Sequence, residues 1–492
     1  MMPADHRRYT VRLVLALGTT LLGACAAMRP LDNAPPSAAR PWSAPDLPAY
    51  SRALTETEHT SAPTPVSVDP QKTYDLSELI DVAQRTNPET RVAWEHARQA
   101  AIAVGLSEGT YYPALVAAAT GAIAHVPLPI PQTVVPGGVF TANTHFVIPA
   151  LSLDWLLLDF GRRRAAVDAA HALSVEATAG FNAKHQQIVF DVTRQFHALT
   201  AIRGKVAAAR AAVTAAHSLE DAAGARKQNG LATLPEVLQA QEETSRAAYD
   251  LEDALAGEHD ARMALLETIG LRPGTTIEIA DASQQPLPPA LAESVDDAID
   301  RALAQRPDLI ARLATVRAGE AEVRKAHADF WPKLLARAAV AGNIGELKVE
   351  DSPYQSVHEL QYDAGFRFEW ALFEGFERRN KLHLAESKQH EAEDELEHAK
   401  DKAVREVWKA YDDTKVALAK HQAAAALLAA SDKAWAATLD SYQHGLSTFP
   451  DVREAERNLQ RARTVDQAAR AEVLTRAAAF AFATGDLARP TN

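Results

Sequence analysis

Gly230-Leu231-Ala232-Thr233-Leu234-Pro235-Glu236-Val237 and Gly445-Leu446-Ser447-Thr448-Phe449-Pro450-Asp451-Val452 are the same stretch written twice, 215 residues apart. In each copy Gly suits the left-handed residue that ends a helix. Thr stands where it can cap the next helix, and Pro falls in that helix's first turn. Either stretch alone predicts a tight turn between two antiparallel helices. Both together make the chain an internal duplication.

Working outward, Trp155-x-x-Leu158-Asp159 matches Trp370-x-x-Phe373-Glu374, again at 215. Earlier, Tyr112-Pro113 matches Trp331-Pro332 at 219, as Asn87-Pro88-Glu89 matches Arg306-Pro307-Asp308. The four-residue change lies between Pro113 and Trp155, so that region holds a tolerant loop. From the Trp to the turn the spacing is constant. One inserted residue would rotate a helix by about 100°, so a fixed length predicts a continuous helix in packed register.

Each half therefore reads as helix, β-hairpin, very long helix, tight turn, helix. In the first half these are 76–111 with Pro88 as a break, 113–155, 161–229, 229–235 and a helix running to about 270. In the second they are 296–330, 332–370, 377–444, 444–450 and 451–484. Ile188, Val192, Phe196, Leu199, Val206, Val213 and Leu219 form a narrow apolar stripe in an Ala-rich helix, which suits close coiled-coil packing. Val404, Val407, Trp408, Tyr411 and Leu418 do the same in the second half. At 1.5 Å per residue each long helix spans roughly 100 Å. The helix after each turn and the helix opening each half are about half as long, so stacked end to end they would match it.

The hairpin alternation is clearest where Leu360, Tyr362, Ala364, Phe366, Phe368 and Trp370 interleave with Glu359, Gln361, Asp363, Gly365, Arg367 and Glu369. Its partner strand is read as 333–345. In the first half Leu151, Leu153 and Trp155 alternate with Ser152 and Asp154, the strand 114–126 is Ala-rich and weak, and Pro127, Pro129, Pro131 and Pro136 mark the loop. A soluble sheet with one wet face and a transmembrane barrel wall ending in an aromatic girdle both fit this pattern. Export context favours the barrel.

That context comes from the N-terminus. His6, Arg7, Arg8 and Arg12 precede a short apolar run that ends in Leu22-Gly23-Ala24-Cys25, around the only cysteine of the chain. The tetrapeptide resembles a bacterial lipobox, with Cys25 taking a diacylglycerol and an N-acyl chain. No other cofactor is expected. Ala26 in place of Asp favours the outer membrane. The Pro-rich segment that follows reads as an extended tether. The expected organisation is a signal peptide 1–24, tether 25–74, first repeat 75–271, linker 272–294, second repeat 295–485 and tail 486–492.

With 492 residues, 47% hydrophobic and 23% charged, the chain is neither a disordered tail nor a polytopic helical transporter, which would need several apolar runs of about 20 residues. A net charge of −13 argues against nucleic acid as a main partner. A single Cys excludes a disulfide framework. No catalytic motif stands among the scattered histidines, so no enzyme is expected.

The duplicated turns, paired hairpins and lipobox together resemble the outer membrane factor family, the TolC-like channel-tunnels, in its lipoprotein NodT-like branch. The resemblance covers about residues 75–485 and implies a fold that is mainly α with β. It implies a homotrimer with a twelve-stranded outer-membrane β-barrel continued by a periplasmic α-helical coiled-coil barrel. It further implies passive conduction in a tripartite efflux or secretion system, with an inner-membrane pump and a periplasmic adaptor as partners. Four strands per chain agree, because open sheet edges are not tolerated in lipid. The competing reading is a periplasmic coiled-coil adaptor or structural lipoprotein without a barrel. An adaptor should carry one hairpin and no duplication.

By this likeness Gly230, Leu231, Thr233, Pro235, Gly445, Leu446, Thr448 and Pro450 form the adaptor-docking tips. The plainer alternative is that they are only good helix-turn-helix residues. Tyr442, Asp451, Glu454 and Glu236 stand at or near positions that line the family's closed aperture, where acidic rings favour cations. For the acids the plainer alternative is a favourable first helical turn. Where the family prototype has Arg this chain has Ser447, so a closing bridge through that side chain is not expected.

Overall fold

The computed structural model describes residues 68–129, 139–281, 285–288, 290–291, 293–350 and 352–487. The signal peptide, Cys25 and most of the tether lie outside the described residues. In chain order the elements are β1 (Thr73–Tyr74), α1 (Leu76–Thr86), α2 (Pro88–Gly109), β2 (Ala114–Pro129), β3 (Val139–Leu158), α3 (Arg162–Gln228) and α4 (Leu234–Ile269). The second half gives β4 (Glu278–Ile279), α5 (Val295–Gln305), α6 (Pro307–Ala328), β5 (Lys333–Val349), β6 (Gln355–Glu369), α7 (Glu377–Gln443) and α8 (Phe449–Thr484). The two long helices both have 67 residues, and the two helices after the turns both have 36.

The opening helix of each half is two helices. Asp75 and Glu78 form a reciprocal capping box that starts α1. Asn87 is extended (φ −65°, ψ 123°), as the residue before Pro88 must be, and its side chain caps α2 through the Glu89 N–H at 2.8 Å. Only the 22-residue α2 continues the α4 column. The expectation that all of 76–111 stacks is corrected: α1 turns aside and packs its apolar face, Leu79 and Val82, against Ile188, Val192, Leu265 and Ile269. The end-to-end joint itself exists. Thr86 Oγ1 donates to the Ile269 carbonyl at 2.6 Å, and Asn87 Nδ2 to that of Thr268 at 2.9 Å. In the second half Arg306 Nη1 donates to the Ala483 carbonyl at 3.3 Å.

Four helical columns lie side by side. α3 packs between the α4–α2 column and the α8–α6 column, and α7 packs on the far side of α8–α6. The strands follow the same order. β2, β3, β5 and β6 form one antiparallel sheet in that sequence. Trp155 lies opposite Ala336, Leu153 opposite Ala338 and Leu151 opposite Val340 across the central pair, with a bulge between Leu156 and Leu158. β2 and β6 are the edges, and both are exposed along almost their whole length. Tyr362 is 79% exposed, so the aromatic row of β6 covers no core within the chain.

Two further expectations are corrected. The weak strand 114–126 is fully paired and runs through Pro127 to Pro129, because a proline at a sheet edge forfeits no obligatory bond. The strand expected to stop at 345 reaches Val349. Tether and linker are tied together at the body: β1 pairs in parallel with β4, and Tyr74 is buried. No helix among the described residues is long and apolar enough to cross a membrane.

Candidate functional site: the helical tips and the strand–helix junction

The two turns are nearly superimposable in backbone. Gly230 and Gly445 have φ of 73° and 75°, a region closed to most side chains. Their N–H groups donate to Lys227 and Tyr442 carbonyls, both at 3.0 Å, and Leu231 and Leu446 donate to Arg226 and Ser441 carbonyls, both at 2.8 Å. Thr233 and Thr448 occupy the next N-cap with Pro235 and Pro450 in the first turn. Leu231 and Leu446 project as exposed apolar side chains at the extreme end.

Their side chains then diverge. The Tyr442 hydroxyl donates to Glu236 Oε1 at 2.9 Å, linking α7 to α4. Burial, reinforced by that carboxylate, pushes the phenol up to about 12. Arg226 lies 4.6 Å from the Tyr442 ring and donates Nη1–H to the Tyr442 carbonyl at 3.1 Å. Tyr442, Phe449 and Val452 close over Leu219, Ala223 and Ala240, each large side chain contributing roughly 1.5–3 kcal/mol by burial. Glu236 is thus spent on Tyr442, whereas Asp451 Oδ2 accepts the Thr448 N–H at 2.9 Å and hydroxyl at 2.6 Å. Glu454 Oε1 accepts from Asn458 Nδ2 at 3.2 Å. Within one chain Glu236 and Tyr442 come together; Asp451 and Glu454 do not join them. Ser447 Oγ reaches only the Thr438 carbonyl, at 3.4 Å, and the cation that meets Tyr442 is Arg226.

One turn farther along α8, Glu456 is buried facing Glu243 of α4, which Arg457 holds at 2.6 and 3.1 Å. Burial first, then Glu243, pushes Glu456 up to about 7 from 4.5, against Arg457, Gln460 and Arg463. The folded chain holds this proton more tightly than the unfolded one. Stability contributed here is therefore intact below pH 4.5 and lost as pH rises towards 7. Protease resistance of the tip should be higher at the acid end of that window than above it. Glu456→Gln should flatten the difference, and an unchanged slope would contradict the assignment.

At the other end of the long helices sits a repeated junction that sequence reading missed. Trp155 Nε1–H donates to the Tyr111 carbonyl at 2.9 Å, and Trp370 Nε1–H to that of Phe330 at 3.1 Å. Each bond ties the last turn of a strand to the helix that entered the hairpin. Arg163, buried, pairs with Asp159 at 3.1 Å and donates to the Leu157 and Thr110 carbonyls at 3.1 and 3.3 Å. Its guanidinium lies 4.8 Å from the Tyr111 ring. Arg378 repeats this more loosely, with Glu374 at 3.0 Å, the Asp329 carbonyl at 3.5 Å and the Phe330 ring at 5.5 Å. The available signal was an Arg four residues after each Asp/Glu of the duplicated Trp motif. No cluster of described residues could hold a metal ion.

An exposed strand sheet running straight into a helical wall, with both ends of the wall pinned twice, defines the class: a subunit of a membrane export channel. The outer membrane efflux protein family matches residues 79–271 and 298–486, and the chain belongs to it. Protein CyaE of Bordetella pertussis is 27% identical over 440 residues, 88% of each chain. The outer membrane protein VceC of Vibrio cholerae superposes with a TM-score of 0.66 at 21% identity, covering 83% of this chain and 96% of VceC. The CmeC outer membrane channel of Campylobacter jejuni gives 0.68 at 17% identity, covering 87% and 90%. The family is one of channels and not of enzymes, and it places the protein in the outer membrane.

Proposed function

We propose that this protein is the outer-membrane duct of a tripartite export system. Three copies close a twelve-stranded barrel and a periplasmic helical tunnel, and cargo delivered by an inner-membrane pump passes through passively. A periplasmic adaptor engages the exposed Leu231 and Leu446 tips. The Tyr442–Glu236 contact with Arg226, together with Asp451 and Glu454, sets the width and charge of the aperture. Cys25 carries the lipid anchor.

The observation that carries this reading is the sheet: four strands, two unpaired edges and a bare aromatic row. In lipid such edges must be satisfied by other strands, and a ring of copies does so. An adaptor has no use for that sheet or for the duplication. The test is migration of detergent-extracted protein on a gel with and without boiling. Unboiled protein should run near three times the mass of the boiled chain; a monomer in both lanes would sink the proposal.

A further inference from the structure

The duplication predicts contacts that a single chain cannot show. Residues of α3 and α4 correspond to those of α7 and α8 at 215, with equal helix lengths throughout. The first half packs on the second within the chain. In a ring, the second half meets the first half of the next copy in the same manner. Every pair of positions in contact across the internal seam therefore has an image across the seam between copies, occupied in many cases by different side chains.

The open flank of α7 is shaped for this. Leu384 and Trp408 are 56% and 44% exposed on α7, while their counterparts on α3, Ala169 and Thr193, are 4% and 6% exposed. The charges fit as well. Inside the chain Phe190 stacks on Phe482 at 5.1 Å; the image is Arg405 against Glu267. Inside, Tyr442 binds Glu236; the image is Lys227 against Asp451. The side chains of Arg405, Glu267 and Lys227 have no hydrogen-bond or ion-pair partner among the described residues, and Asp451 has only its own N-cap. At the barrel, the register of the central strand pair places Trp370, Phe368 and Phe366 of β6 opposite Ala117, Ala119 and Gly121 of the next β2. That sets large side chains over small ones, and it gives the Ala-rich strand a reason. Not all internal pairs survive: Arg324–Asp168 maps to Gly105 and His383, so the new seam is no replica.

We infer that a second copy of this chain docks on the second half through two ion pairs, Arg405 of α7 with Glu267 and Asp451 of α8 with Lys227, at the positions where the contacts inside the chain are the Phe190–Phe482 stack and the Tyr442–Glu236 bond. This rests on the closed ring proposed above.

The test treats the full, detergent-solubilised chain with a zero-length carbodiimide, which joins an amine and a carboxylate only in contact. The expected product is a Lys227–Asp451 isopeptide confined to bands of two and three chains and absent from Lys227→Arg. Assembled protein without that link, or the link within single chains, overturns the inference and leaves the duct standing. Protein that never assembles overturns both. Independently, Arg405→Glu should lower the temperature at which the unboiled assembly dissociates, and adding Glu267→Arg should restore it. Equal or greater loss in the double variant refutes that contact.

Discussion

Gly445→Pro is expected to abolish export while leaving the unboiled assembly intact. Gly445 holds φ at 75°, and proline is fixed near −65°. The substitution also deletes the N–H that donates to the Tyr442 carbonyl at 3.0 Å. Together these cost about 3 kcal/mol or more, all of it spent in the turn that presents Leu446 and positions Tyr442. The sheet edges that the proposed ring must close lie roughly 100 Å away along a helix of this length. Substrate export in cells and migration of unboiled protein check the two halves of the expectation. Normal export by this variant would remove the second tip from the docking surface.

Arg163→Ala should act at the opposite end and on folding. The guanidinium is buried with Asp159, and its loss strands a buried carboxylate together with the Leu157 and Thr110 carbonyls it satisfied. Removing one partner of a buried pair costs roughly 3–5 kcal/mol. Little assembled protein should be recovered. Arg378→Ala should be much milder, since Glu374 is solvated and its carbonyl contact is long. Heat-modifiable migration of the two variants checks this. Equal losses would mean that the junction does not work through burial.

The duplication, the long helices and the tip turns were legible because each rests on local chemistry. A Gly-Leu-x-Thr-x-Pro turn stops and restarts a helix wherever it occurs, and constant spacing exposes a packed register. β6 was legible from its strict alternation. Its partner β2 was not, because a strand that offers alanine to its neighbours carries no periodic signal. The Asn87-Pro88 break was visible as a proline. That α1 then leaves the column for Ile188 and Leu265 was not, since those partners lie about 100 and 180 residues away. The Arg163 clamp was hidden for a similar reason: a buried Arg reads as a surface one until Tyr111 is known to lie beside it.

By itself the sequence determined a twice-repeated unit of hairpin and long helices, where its helices begin and end, and which residues stand at the turns. Only the tertiary structure decided that Glu236 serves Tyr442 while Asp451 caps its own helix. Only it showed the twin Trp bonds that fasten sheet to helices, and the flank of α7 left exposed. Helix ends and strand faces follow from neighbours a few residues apart. The partner of a buried charge, or the absence of one, depends on which distant segments the packing brings together.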